Sequence, residues 1–360
     1  MSFTATKKEW SEIYIIFRLL SEATISRFVS KEEAYKQAPV ALLQREEHDG
    51  TRQYIIEEAY VHMVGETIDK RVSRAAFKEC AAQILAVMKA SSDENVPSTS
   101  SIEAFLDEVN IFNLEAKTED RTDFHIALYQ VDAPLMGVSS RSKIGKLYPL
   151  LDGGRSANLK FELVGNKFSV PTVQNINALA GENGGVLARI QQIQLLGGAL
   201  KYADVADRVF RSNLSMIDLH FPRLLAEMVR LMQLTGIVRV NELTKELIAL
   251  NPLKINNELI QKHNFYEHKI KDFLWTVALG MRPAKIYRGE ETAIDAFLLL
   301  NGDGTLQFYE KSKADHFKNF LFNNTRLEHG TTEKDKYGFL EKENGIYYFK
   351  LNAKLGLTKR

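Results

Sequence analysis

From residue 180 to about 285 the apolar residues of this chain recur at helical spacing, and on either side of that block they alternate as strands do. GGVLARIQQIQLL, DLHFPRLLAEMVRLMQL, NELTKELIAL and NNELIQKHNFYEHKIKDFLWTVALG carry the helical period. Strands fit 123–130, 135–143 and 157–164 before the block, and AFLLL, TLQFYE, KYGFLEKE and GIYYFKLNAK after it. Glu343-Asn344-Gly345 between the last two is a hairpin signal. Earlier, a helix is predicted over 8–22, strands over 39–45 and 53–64, and a helix capped by Ser73 running to about 90. The polar stretch 91–101 reads as a loop that leads into the short helix SIEAFLDEVN. The fold class expected is mixed α/β. It divides into an N-terminal α/β region (1–100), core strands (101–180), a helical region (181–285) and a β-rich region (286–360).

The chain has 360 residues, 45% of them hydrophobic, enough for one large domain or two ordinary ones. No apolar run approaches the ~18 residues of a membrane span, so no membrane partner is expected. The opening MSFTATKKEWSEIYIIFRLL is interrupted by Glu12 and Arg18, reads as an amphipathic helix, and lacks the apolar core of a signal peptide. One cysteine, Cys80, excludes an internal disulfide and a cysteine-based zinc site, and the cytoplasm is the expected setting. Net charge is +1 but uneven: residues 141–360 hold 32 Lys and Arg against 23 acids, and residues 1–140 hold 15 against 23. A basic later part suggests a polyanion-binding surface; two ordinary solvated surfaces would look the same.

Several motifs fail on inspection. The glycines at 181–185 and 197–198 lack the phosphate-loop pattern. His263 and His268 are five apart and point to different helix faces. GIYY at 345–348 echoes a small nuclease family, but too few residues follow it, and alternation explains it as a strand. The helices at 220–250, joined by TGIVRVN, could pass for a helix-turn-helix, which leaves a non-catalytic DNA-binding regulator as the alternative reading.

The strongest constellation lies at 122–145. Asp123 opens the first strand, whose Phe124, Ile126 and Leu128 face a core. On the second strand Gly137, Ser139, Arg141 and Lys143 share a face, and Asp123 is expected to face that row. A carboxylate can hold a hard cation beside a phosphate, and a nearby side-chain cation can stabilise the added negative charge of the transition state. A surface salt bridge at a strand end would have the same residues.

The run Gly137-Val138-Ser139-Ser140-Arg141-Ser142-Lys143-Ile144-Gly145 resembles the pattern GFSIKSxLG…LLNAS…TNFxYE of the HpaII family of type II restriction endonucleases. The rest of the pattern is met by Leu150-Leu151 and by Ala157-Asn158-Leu159 ahead of Phe161-Glu162. Residues 320–354 resemble that family's closing segment. The resemblance implies a PD-(D/E)xK-type core with additional helical and β elements. It further implies Mg²⁺-dependent cleavage of duplex DNA at CCGG, and a cognate DNA methyltransferase acting on the same site. A palindromic target implies a homodimer on DNA.

The sequence departs from the motif where the chemistry is densest. Arg141 stands where the family has lysine, and Ser139 occupies the acidic position. Arginine stays protonated, so it can orient a phosphate but cannot be a general base. Lys143 is the other candidate cation. Glu108 and Glu115 are candidates for the missing metal-binding carboxylate, with Glu119 and Asp120 behind them; Glu115-Ala116-Lys117 also forms an ExK string, but ahead of Asp123. Arg155, Asn158 and Lys160, and Arg326, Lys334 and Lys336 in the closing block, are candidate DNA contacts, or ordinary surface residues.

Overall fold

A computed structural model describes residues 3–116, 122–129, 134–289 and 292–359, and the chain forms two compact units. Lys117, Glu119 and Asp120 lie outside the described residues. The first unit is residues 1–148 with 291–317; the second is 149–290 with 318–360. These units cut across the four expected segments, because the chain returns to the first unit after leaving it.

In the first unit, strand β1 (Thr4–Thr6) leads into helix α1 (Lys7–Glu22). Thr6 and Glu9 cap that helix reciprocally: the Thr6 side chain accepts from the Glu9 N–H, and the Glu9 carboxylate accepts from the Thr6 N–H. Trp10, Ile13, Phe17 and Leu20 recur on its buried face, each stabilising the fold by roughly 1.5–3 kcal/mol. There follow β2 (Thr24–Phe28), β3 (Tyr35–Glu47), β4 (Gly50–Ile56), β5 (Tyr60–Val64), β6 (Asp69–Ser73), α2 (Arg74–Ala90), β7 (Asn95–Pro97) and α3 (Ser100–Glu108). β1 and β7 pair as a small ribbon. Ser73 caps α2 through its side chain, as the sequence indicates.

Strands β8 (Phe124–Leu128) and β9 (Met136–Ser142) are followed, after the chain has passed through the second unit, by β12 (Ala296–Leu300) and β13 (Leu306–Glu310). The main sheet runs β13-β12-β9-β8-β3-β4-β5-β6, with β2 added on β3. Every pairing is antiparallel except β9 with β12, where Phe297 lies beside Ser139 and Leu299 beside Arg141. All five β12 residues are buried, the continuous apolar run of an interior strand covered on both faces.

Gly137 marks the closest approach in this sheet. A Cβ there would stand 1.9 Å from the Ala293 carbonyl oxygen. The Asp295 N–H donates to the Gly137 carbonyl, and the Gly137 N–H donates to the Asp295 carboxylate. Gly137→Ala is therefore expected to destabilise the protein by about 2–3 kcal/mol, read as a lowered urea midpoint at unchanged slope.

The second unit holds an antiparallel sheet in the order β11-β10-β16-β15, built from β10 (Asn158–Gly165), β11 (Gly198–Val205), β15 (Leu340–Glu343) and β16 (Ile346–Asn352). β14 (Thr325–Glu328) pairs with β17 (Lys354–Leu357). Its helices are α4 (Val170–Asn177), α5 (Val186–Leu195), α6 (Arg208–Ile217), α7 (Phe221–Thr235), α8 (Val240–Leu250), α9 (Asn257–His263), α10 (Phe265–Ala278) and α12 (Thr332–Asp335). Helix α11 (Ala314–Asn324) leads into it from the first unit. The β15–β16 turn has Asn344 and Gly345 both at positive φ, the primed geometry that matches strand twist. Among the described residues no helix is long and apolar enough to cross a membrane.

Candidate active site

The ladder between β8 and β9 ends at Asp123, whose N–H donates to the Val138 carbonyl at 2.8 Å. β9 continues past that point, so the next backbone groups on its β8 side need other partners. Asp123 takes one of them: its Oδ2 accepts from the Ser140 N–H at 2.5 Å and from the Ser140 hydroxyl at 2.7 Å. Arg141 takes the other, its Nη1 donating to the Ser140 carbonyl at 2.6 Å and to the Ser139 hydroxyl at 3.1 Å. A carboxylate and a guanidinium are thus tied to the two backbone polar groups of one residue. The guanidinium carbon lies 5.9 Å from the Phe297 ring centroid. Among the described residues it makes no salt bridge, so its charge is positioned but not neutralised.

Within the row expected to face Asp123, the Ser139 and Arg141 side chains meet, while Asp123 bonds to Ser140. Gly137 is packed against the Ala293 carbonyl, and Ser139 is buried with its hydroxyl accepting from Arg141. Asp123 engages Ser140, on the other face of β9. Lys143 lies just past β9, its N–H donating to the Leu300 carbonyl. Its ammonium has no hydrogen-bond partner among the described residues, and partial burial lowers its pKa below the ordinary lysine value.

A second acid stands nearby, on α1. Glu12 is buried, and its Oε1 accepts from Arg45 Nη2 at 3.0 Å and from the Ala116 N–H at 2.8 Å. Arg45 is fully buried and shared: Nη1 donates to Glu47 at 2.8 Å, and Tyr54 donates its hydroxyl to the same Glu47 at 2.6 Å. One turn of α1 is pinned to β9 by the Ser11 and Ser142 hydroxyls, 2.8 Å apart. Burial pushes the Glu12 carboxyl up to about 8; Arg45 opposes the rise and the charge of Asp123 adds to it.

A stability dependence follows. Below the ordinary carboxyl value both folded and unfolded chains hold this proton. Between about 4.5 and about 8 only the folded chain holds it, so unfolding releases a proton and rising pH weakens the fold. The slope is on the order of 1 kcal/mol per pH unit. In chelator-treated protein the urea midpoint is expected to fall from pH 5.5 to pH 8, and to fall less in Glu12→Gln.

Of the acids anticipated from the sequence, Glu108 lies elsewhere. Glu108 pairs with Lys70 of β6, four strands along the sheet from β8. At ~4.8 Å per strand that is roughly 19 Å, too far for a shared cation. Glu115 is paired with Lys8. Glu12 left a legible signal: a charged residue in register with Ile16 and Leu20 on the apolar stripe of α1.

The anticipated DNA contacts separate into two kinds. Arg155, Lys334 and Lys336 are exposed, and the Arg155 guanidinium donates to the Lys334 carbonyl, so these cations share one surface. Asn158 does not belong with them. It is buried, donating to the Asp335 and Lys336 carbonyls and accepting from Asn352, so its amide is spent on the fold. Lys160 is paired with Glu343 and covers the Tyr348 ring, and Arg326 is paired with Glu328. These two cations are compensated within the chain.

The donors beside Asp123 are hard oxygens. Among the described residues no group of three or more His, Cys, Asp or Glu is placed to hold a metal ion. Asp123 offers one carboxylate, and a small hard cation such as Mg²⁺ is commonly bound by one or two carboxylates together with substrate phosphate rather than in an all-protein cage. An aimed carboxylate beside an unneutralised guanidinium has the makings of a phosphodiester-cleaving centre. Residues 6–357 match the family model described as HpaII restriction endonuclease, and the chain belongs to that family of nucleases acting on DNA. It is similar to the type II restriction enzyme HpaII of Haemophilus parainfluenzae, with 28% identity over 361 residues and 98% of each chain covered. No solved structure matches it.

Proposed function

We propose that this protein is a Mg²⁺-dependent type II restriction endonuclease with a PD-(D/E)xK-type core, cutting duplex DNA at CCGG as a homodimer. The observation that carries the reading is the Ser140 junction, where Asp123 and the unneutralised Arg141 meet on one backbone residue of a chain in this family. A Mg²⁺ ion held at Asp123 would polarise the scissile phosphate and acidify a bound water. Asp123, fixed through one oxygen by Ser140, keeps its other oxygen for the cation. Arg141 orients the phosphate and offsets charge that develops on it, and cannot itself take a proton from water. Arg155, Lys334 and Lys336 hold the DNA backbone. A cognate methyltransferase acting on the same sequence would protect the host's own copies.

The regulator alternative has less support. The exposed face of α8 presents Glu242 and Glu246 against one cation, Lys245, a poor surface for a polyanion. Plasmid DNA incubated with the protein, with and without Mg²⁺, followed by end-sequencing, tests the proposal. Discrete fragments ending within CCGG are expected only with the metal. Discrete ends elsewhere overturn the target, and specific binding without cutting overturns the enzyme.

A further inference from the structure

The motif position normally filled by a second acid holds Ser139, which is buried and turned to Arg141. A cation held by Asp123 alone would be weakly bound, so the second charge must come from outside β9. We propose that Glu12, on the first helix of the chain, is that second metal-binding carboxylate, with Arg45 as its positioning residue. The inference rests on the nuclease reading and extends it by a residue that the motif does not contain.

Three observations carry it. First, position: the Ser11–Ser142 contact seats this turn of α1 on the strand end where Ser140 holds Asp123. Second, orientation: the Arg45 and Ala116 bonds both fall on Glu12 Oε1, and among the described residues Oε2 has no partner. Third, isolation: a carboxylate in the apolar stripe of a helix is costly to bury unless it is used, and the fold devotes a fully buried arginine to keeping it there. A cation held by Glu12 and Asp123 would leave Arg45 to Glu47.

Mn²⁺ is the probe, because its free ion is counted directly by electron paramagnetic resonance, without DNA and without cutting. Full-length protein is titrated as wild type, Glu12→Gln and Asp123→Asn, with folding checked by circular dichroism. Glu12→Gln is expected to weaken Mn²⁺ binding about tenfold or more, as Asp123→Asn does. If Asp123→Asn weakens binding and Glu12→Gln leaves it within about twofold, Glu12 is not a ligand and the nuclease reading stands. If neither variant changes binding while both still cut, the whole centre has been misplaced. Should Glu12→Gln fail to fold, Glu12→Asp carries the test: it keeps the charge but withdraws it by one methylene. Weaker binding then supports the proposal, and unchanged binding overturns it.

Discussion

Asp123→Asn is expected to cut DNA ~10³-fold more slowly than wild type, or not at all, while still binding its site. The substitution keeps the shape. Its amide oxygen can still accept from the Ser140 N–H and hydroxyl, so the junction at the end of β8 survives. It loses the charge that would hold the cation. The phosphate contacts proposed above for exposed cations such as Arg155 and Lys334 do not pass through Asp123, so affinity is expected to change little. Cutting is measured under single turnover with Mg²⁺, and binding by gel shift with Ca²⁺ in its place. A rate above about a tenth of wild type would remove Asp123 from the catalytic centre.

Arg141→Ala is expected to slow the chemical step by ~10²-fold, about 2.7 kcal/mol, the scale for losing one preorganised donor at a transition state. Its guanidinium is fixed by Ser139 and Ser140 and carries no neutralising partner among the described residues, so its charge is available to a phosphate. Lys143→Ala is expected to weaken DNA binding and reduce its salt dependence. The reverse outcome has a physical basis too. The Lys143 ammonium is partly desolvated, and a lysine with a lowered pKa is suited to proton transfer, as arginine is not. If Lys143→Ala stops single-turnover cleavage and Arg141→Ala does not, Lys143 is the catalytic cation. Arg141→Lys then measures how much of the effect is charge and how much is the planar guanidinium's geometry.

Local pattern carried much of this molecule into view. The α1 and α2 helices, the strands flanking 130–135 and the Asn344-Gly345 hairpin are legible because each is decided by residues within a few positions of one another. β11 was hidden inside the helical block: it alternates half-exposed residues over a short span, and the strong periods of α5 and α6 on either side mask it. The site was half legible. Asp123, Arg141 and Lys143 lie close together in the sequence, whereas Glu12 reaches the site only through tertiary packing of α1. Ser140 was overlooked because a side chain that fixes an acid has no motif of its own. Asn158 was misjudged because a buried amide and a DNA-reading amide look alike until their hydrogen bonds are counted.

The single parallel step of the main sheet bears on how the protein is made. β9, the strand that carries Ser140 and Arg141, is flanked by β8 on one side and β12 on the other, and residues 143–295 separate β9 from β12. A chain emerging from the ribosome carries Asp123, Ser140 and Arg141 early, yet β9 has no β12 to pair with until the second unit has largely been synthesised. Closing that edge of β9 is a long-range event that has to wait until residues 296–300 are made. Nascent and prematurely terminated chains therefore carry Asp123 and Arg141 without β12 beside β9, and without the Phe297 ring that lies 5.9 Å from the Arg141 guanidinium.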